Sequence, residues 1–206
     1  MARSKRIKYL ANLTIGFDRV LDIGTDHGFV LAQAFENKLI KSAIASDLRE
    51  KPLNQAKKTL KDYPVEYVIS DGFQQIKSDF DLAIIAGMGA YLITDIMDHA
   101  PQGKQTYLLQ ANDKIEILRE YLMNQGFKII DEYVIEDKFF YVILKVIRGD
   151  MVLYDEDIYL GPVLKQKPEA LPYYAKKARQ IEKILPHADE NRQEILKKML
   201  KIYKNI

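Results

Sequence analysis

Five short apolar runs, each closed by small or carboxylate-bearing residues, alternate with stretches of helical periodicity over residues 19–124 of this chain. The runs lie at residues 19–23, 42–46, 65–69, 81–86 and 106–110. Strands this short and this continuously apolar are buried on both faces, the mark of parallel sheet. Between them, residues 29–37, 49–62, 91–98 and 115–124 space their apolar side chains as helices do, and Pro52 is tolerated in a first helical turn. Strand–helix alternation of this kind requires right-handed crossovers that cover both sheet faces. Two further runs, 127–135 and 139–147, flank the charged turn Glu136, Asp137 and Lys138 and predict an antiparallel hairpin at one edge. The expected fold class is α/β, a seven-stranded, mostly parallel sheet whose ligand crevice lies at the strand C-termini.

The pattern breaks over residues 148–170, which hold Gly149, Gly161, Pro162 and Pro168. Beyond it, Tyr174, Ala178, Ile181 and Leu185 recur at helical spacing, Pro186 interrupts, and Asp189 is placed to cap a last helix carrying Ile195, Met199 and Ile202. These stripes predict a C-terminal α-helical, coiled-coil hairpin with arms about 22 Å long at 1.5 Å per residue. The expected division is residues 1–160 and 161–206.

The net charge of +2 hides an uneven distribution. Residues 1–8 carry Arg3, Lys5, Arg6 and Lys8 and no acid; residues 164–206 carry eleven basic against five acidic side chains. Basic ends on an acidic body point to a polyanion partner. Cysteine is absent, which excludes thiol catalysis, Cys-ligated zinc and iron–sulfur clusters. The histidines, His27, His99 and His187, have no metal-ligand spacing, so no metal is expected. No phosphate loop or nucleophile elbow occurs. No apolar run is long enough to span a bilayer and no secretory signal opens the chain, so a cytoplasmic protein without a membrane partner is expected.

The residues following the strands carry the chemistry. After the first come Asp22, Gly24, Thr25, Asp26, His27 and Gly28. Two glycines let a ligand approach this turn closely, but a carboxylate at Asp26 would repel a diphosphate, which disfavours NAD or FAD. A cationic amino or sulfonium group suits it better, as in S-adenosylmethionine (SAM). Asp47, with Leu48 beside it, stands where a carboxylate can accept from ribose hydroxyls; capping the next helix is the other use of that carboxylate. Asp71-Gly72 suits an adenine amino group or a plain turn. Ala86, Gly87 and Met88 form a small, flexible turn where acceptor and donor could meet, and Gln110 and Asn112 present amides to the same crevice.

The segments SKR (residues 4–6), DIGTDHG (22–28), DG (71–72), IAGMG (85–89), LLQAN (108–112) and LGP (160–162) together resemble the tRNA (adenine(22)-N1)-methyltransferase family, the TrmK family. The resemblance covers roughly residues 1–165. It implies a Rossmann-like class I methyltransferase with a C-terminal helical piece, taking SAM as donor and N1 of an adenine in tRNA as acceptor. Ala111 stands where the family carries proline and Phe29 where it often carries tyrosine. On this resemblance Asp26, His27 and Asn112 are the expected catalytic group. Asp26 would stabilise the cationic methylated ring, or alternatively hold the donor's amino group. His27 and Phe29 would orient or stack the base, and Asn112 would meet its edge. Arg3, Lys5, Arg6, Lys176, Lys177, Arg179 and Lys183 are the expected phosphate contacts. A monomer is expected.

Overall fold

A computed structural model of the chain describes residues 4–206. Among these, seven strands form one sheet: β1 (Arg19–Ile23), β2 (Ser42–Asp47), β3 (Val65–Ile69), β4 (Leu82–Met88), β5 (Thr106–Ala111), β6 (Phe127–Glu136) and β7 (Phe140–Arg148). Their order is β3-β2-β1-β4-β5-β7-β6. The first five run parallel, and β7 pairs antiparallel with both β5 and β6. This is the predicted mostly parallel sheet with its edge hairpin.

Helices cover both faces. On one lie α1 (Lys5–Asn12), α2 (Phe29–Glu36) and α3 (Glu50–Thr59), packed through Leu10, Leu31 and Leu53 onto Val20, Ala43 and Ile84. On the other lie α4 (Ala90–Met97) and α5 (Ile115–Asn124), packed through Ile93 and Leu118 onto Leu21, Ile85 and Leu109. The tail adds α6 (Asp155–Leu160), α7 (Leu171–Ile184) and α8 (Glu190–Lys204). Tyr173, Tyr174, Ala178, Leu196 and Tyr203 of this tail belong to the same buried cluster as α4, α5 and that sheet face.

The structure departs from the sequence expectations in four places. The basic opening segment, read only as charge, forms α1, capped by the Ser4 hydroxyl accepting from the Ile7 amide. The fourth strand does not stop before Gly87 but runs through it to Met88, with a bulge between Ala86 and Met88 that bends the strand end into the crevice. The presumed break contains α6. In α8 the buried residues are Leu196 and Tyr203, while Ile195 is 57% exposed. Met199 and Ile202 of the expected stripe pack partly buried against the same core, and the buried face is centred on Leu196 and Tyr203, the Tyr203 ring beside Tyr174 and its hydroxyl donating to the Tyr159 carbonyl. The Asp189 cap forms as expected, its carboxylate accepting from the Arg192 amide.

Candidate active site

The parallel strands end along one rim, and the turns after them close around a cleft of about 680 Å³. Asp22, Gly24, Thr25, Asp26 and His27 from the first turn line it, with Asp47, Leu48, Asp71, Gly72, Ala86, Gly87 and Met88 from the next three. Gly28 is buried at the base of the first turn, packed under Leu60 and Ala56. The cleft therefore gathers the expected donor-binding residues of four strand ends.

The local backbone is built for close approach. Gly24 has a φ of +71°, and a Cβ there would overlap the terminal methyl of Met88. Asp26 holds a φ of +48° without being glycine, a conformation that costs on the order of 1 kcal/mol and that short carboxamide and carboxylate side chains tolerate best. The Asp26 side chain is exposed, with Oδ2 3.7 Å from His27 Nε2, and the His27 ring stacks on Phe29 at a centroid distance of 5.1 Å. The three make a polar and aromatic lip over the cleft.

Beneath that lip, Asp22 is fully buried, its Oδ2 accepting from the Thr25 hydroxyl at 2.8 Å. Burial pushes its carboxyl up to about 7; the Thr25 hydrogen bond pulls back and nearby Asp47 adds to the rise. Asp47 itself accepts from the Arg49 amide through Oδ1. Two buried carboxylates side by side are costly when charged, and a cationic ligand relieves that cost. The first turn thus suits an ammonium or sulfonium group, not a diphosphate.

The fifth strand end adds an ordered chain of amides. Arg6 Nη1 donates to Gln110 Oε1 at 2.8 Å, Gln110 Nε2 donates to Asn112 Oδ1 at 3.1 Å, and Asn112 Nδ2 donates to the Gly87 carbonyl at 2.8 Å. Because a guanidinium only donates, Arg6 fixes which way both amides point. Arg6 also lies over the Tyr141 ring, 5.2 Å from its centroid. Among the expected phosphate contacts, Arg6 is thus a half-buried wall of the cleft; Lys5 is exposed on α1, and Arg3 lies outside the described residues. Lys176, Lys177, Arg179 and Lys183 share α7, and none of the four is within 4.0 Å of a described carboxylate. By contrast Lys198 and Lys204 of α8 pair with Asp155 and Glu182.

Sequence reasoning missed Arg6 as a cleft residue, and missed Leu92 and Ile96, which line the cleft from α4, Ile96 packed against Gly72. The i, i+4 spacing of Leu92 and Ile96 was visible; which face of α4 meets the rim was not.

A sheet of this order, with an acidic glycine turn after its first strand and a carboxylate after its second, defines a class I SAM-dependent methyltransferase. The model of the tRNA (adenine(22)-N(1))-methyltransferase family, TrmK, matches residues 20–206. The tRNA (adenine(22)-N(1))-methyltransferase of Bacillus subtilis is 30% identical over 183 residues, covering 82% of this chain and 77% of that protein. Sp1610 of Streptococcus pneumoniae, solved in complex with S-adenosyl-L-methionine, superposes with a TM-score of 0.86 at 28% identity and covers 99% of both chains. The chain belongs to the tRNA (adenine(22)-N(1))-methyltransferase family, SAM-dependent enzymes acting on tRNA. The Bacillus subtilis TrmK crystal structure, at 24% identity and a TM-score of 0.85, shares the fold. Among the described residues no helix is long and apolar enough to cross a membrane, and no cluster of three or more His, Asp or Glu side chains could hold a metal ion.

Proposed function

We propose that this chain methylates N1 of adenine 22 in tRNA within the cleft described above, acting as a cytoplasmic monomer. The observation that carries this reading is the layout of the rim: carboxylates fit for a cationic donor, a lip of Asp26, His27 and Phe29, Asn112 tied to the Gly87 carbonyl at the cleft's edge, and beyond it the basic helix α7, whose Lys176, Lys177, Arg179 and Lys183 pair with no described carboxylate. Asp22, Gly24, Thr25, Gly28, Asp47, Leu48, Asp71, Gly72, Ala86, Gly87 and Met88 hold SAM. When bound, SAM supplies an electrophilic methyl group on a sulfonium.

N1 of adenine carries its own lone pair and needs no strong base. The work of the protein is then orientation and exclusion of water, effects worth up to roughly 7–11 kcal/mol. Turning the adenine out of the RNA stack costs a few kcal/mol, offset by stacking on the His27–Phe29 pair. Asp26 accepts from the adenine amino group and faces the positive charge that methylation leaves on the ring. Asn112, fixed by Gln110 and Arg6, meets the base edge. Residues 161–206 form the RNA-docking unit and 1–160 the catalytic one.

The direct test is transfer of labelled methyl from SAM to bulk tRNA followed by nucleoside analysis. Label in 1-methyladenosine is expected; label in any other nucleoside, or none, would refute the reading.

Two further outcomes follow from the geometry. Only the ionised form of Asp22 attracts the ammonium of the donor, so SAM affinity should rise with pH through the carboxyl's value of about 7. The expected gain is about fivefold between pH 6 and 7, the increase in the ionised fraction below the range in which the donor's own α-amino group loses its proton. Calorimetric titration should show it, and Asp22→Asn should flatten it; an unchanged slope in that variant would remove Asp22 from donor binding. Neutralising Lys176, Lys177, Arg179 and Lys183 together to glutamine should weaken tRNA binding at least tenfold at low salt. It should also make the log–log salt dependence shallower by about 3, with SAM affinity unchanged. Filter binding across a salt series measures this, and an unaltered slope would take α7 out of the RNA contact. Substitution is a cleaner probe than truncation, because removing the tail would take Leu164, Tyr173 and Tyr174 out of the buried cluster they share with α4, α5 and the sheet.

A further inference from the structure

Beyond Asn112 the rim continues onto the antiparallel edge hairpin. In the β5–β7 register Leu109 faces Leu144, so Phe140, four residues earlier in β7, lies level with Asp113, just past the end of β5. The β6–β7 turn therefore stands at the same edge as the catalytic turns. It is two strand spacings from β4, roughly 10 Å at about 4.8 Å each. Phe139 occupies this turn and is 64% exposed.

A second cavity of about 210 Å³ lies here, between the turn, the start of α5 and the side of α7. Asn112, Phe139, Phe140, Tyr173, Lys176 and Lys177 line it. Asn112 is the wall it shares with the catalytic turn, through the hydrogen bond to the Gly87 carbonyl. The two lysines are held half-buried against rings, Lys176 Nζ 5.1 Å from the Phe140 centroid and Lys177 Nζ 5.7 Å from that of Tyr173. Lys114 adds a third cation and, like Asp26, sits at a φ of +48°. The one carboxylate on the wall, Asp113, already accepts from the Ala90 amide. Past Phe140 and Lys176 a further groove leads to Arg179 and Lys183.

Exposed aromatic surface beside unpaired cations is the chemistry that binds single-stranded RNA: rings take bases and lysines take phosphates. A protein partner of opposite charge would satisfy the lysines but gives no reason for an aromatic-lined cavity next to the transfer site. We propose that this cavity is a second nucleotide subsite. A nucleotide directly flanking the target adenine places its base on Phe139 and its phosphate at Lys176 and Lys177. The inference rests on the assignment of the main cleft to adenine methylation. It extends that reading by making recognition depend on an unpaired neighbour of the target, not on the target alone.

The test places 2-aminopurine at each nucleotide flanking adenine 22 in turn and follows its fluorescence as the full-length protein binds the tRNA. With wild-type protein, stacking should quench one flanking position. Phe139→Ala should abolish that quench and raise KM for tRNA about tenfold to a hundredfold, with kcat at saturating tRNA and the SAM dissociation constant unchanged. Phe139→Trp should restore both quench and KM. No quench at any flanking position, or a wild-type KM in Phe139→Ala, would overturn the subsite while 1-methyladenosine formation by the wild type still upheld the main cleft. Failure of the wild type to form 1-methyladenosine would instead bring down the cleft assignment, and the subsite with it.

Discussion

Replacing Asp26 with asparagine should lower the single-turnover rate of methyl transfer by about 10²–10³-fold, the loss seen when one group facing developing charge is removed. Affinity for tRNA should stay within about twofold, because base stacking and phosphate contacts are untouched. Asparagine is the informative substitution: it tolerates the left-handed backbone that Asp26 adopts at φ +48°, and its amide still reaches the adenine edge. What it cannot supply is negative charge opposite the methylated ring. Asp26→Ala loses charge and hydrogen bond alike and adds backbone strain, so it should be slower still. SAM affinity separates the two assignments of this carboxylate. A rate loss at unchanged SAM affinity places Asp26 on the adenine; a comparable loss of SAM affinity places it on the donor's amino group. Near-normal turnover in the asparagine variant would remove Asp26 from the chemistry.

The second large effect lies away from the cleft. Arg119 of α5 and Glu132 of β6 are both fully buried, with Arg119 Nε and Nη2 each 2.9 Å from Glu132 Oε1. Both groups also bond the tail: Arg119 Nη1 donates to the Ile158 and Tyr159 carbonyls, and Glu132 Oε2 accepts from the Val163 and Leu164 amides. Removing one partner strands the other charge and several backbone groups in a dry interior. Glu132→Ala should therefore cost about 3–5 kcal/mol of unfolding free energy. For a chain of this size that lowers the midpoint temperature by about 10 °C. Gly161→Ala should act through the same clamp. Its φ is +94°, and an added Cβ would collide with the Glu132 carboxylate and the Arg119 guanidinium. Thermal denaturation checks both, and a loss below about 1 kcal/mol in Glu132→Ala would show that the clamp is dispensable.

The inner parallel strands β1, β2, β4 and β5 were legible because they are largely buried on both sides and written almost wholly in apolar residues, whereas the edge strand β3 is only partly buried, with Ile69 53% exposed. The turns were legible for a related reason: glycine and aspartate interrupt those runs at several consecutive strand ends, where helix capping or a plain turn could explain each one singly but not the series. What escaped reading was decided by partners distant in sequence. In the segment KRIKYLAN the charges drew attention from Ile7, Leu10 and Ala11, whose 3 and 4 spacing after Ser4 already spelled a capped amphipathic helix. Arg6 looked like surface charge because its acceptor, Gln110, is 104 residues away. The Arg119–Glu132 pair drew no notice in the sequence, since no spacing rule announces that two charges from neighbouring elements will meet inside the core. In α8 the periodicity was right and Met199 and Ile202 of the expected stripe do pack against the core, but the face is rotated so that Leu196 and Tyr203 are buried and Ile195 is exposed.

The shared interior of sheet and tail has a bearing on how this enzyme chooses its target. Tyr173, Tyr174 and Tyr203 are sealed into the same buried cluster as Leu109 and Leu118, so the basic helix cannot swing outward as a hinged arm without opening the hydrophobic interior to water. The distance from its lysines to the transfer site is thereby preset, and the protein works as a fixed gauge. On the proposed docking of tRNA along this helix, the adaptation falls to the nucleic acid, and an adenine locked in continuous duplex is expected to be refused for want of slack in its own backbone.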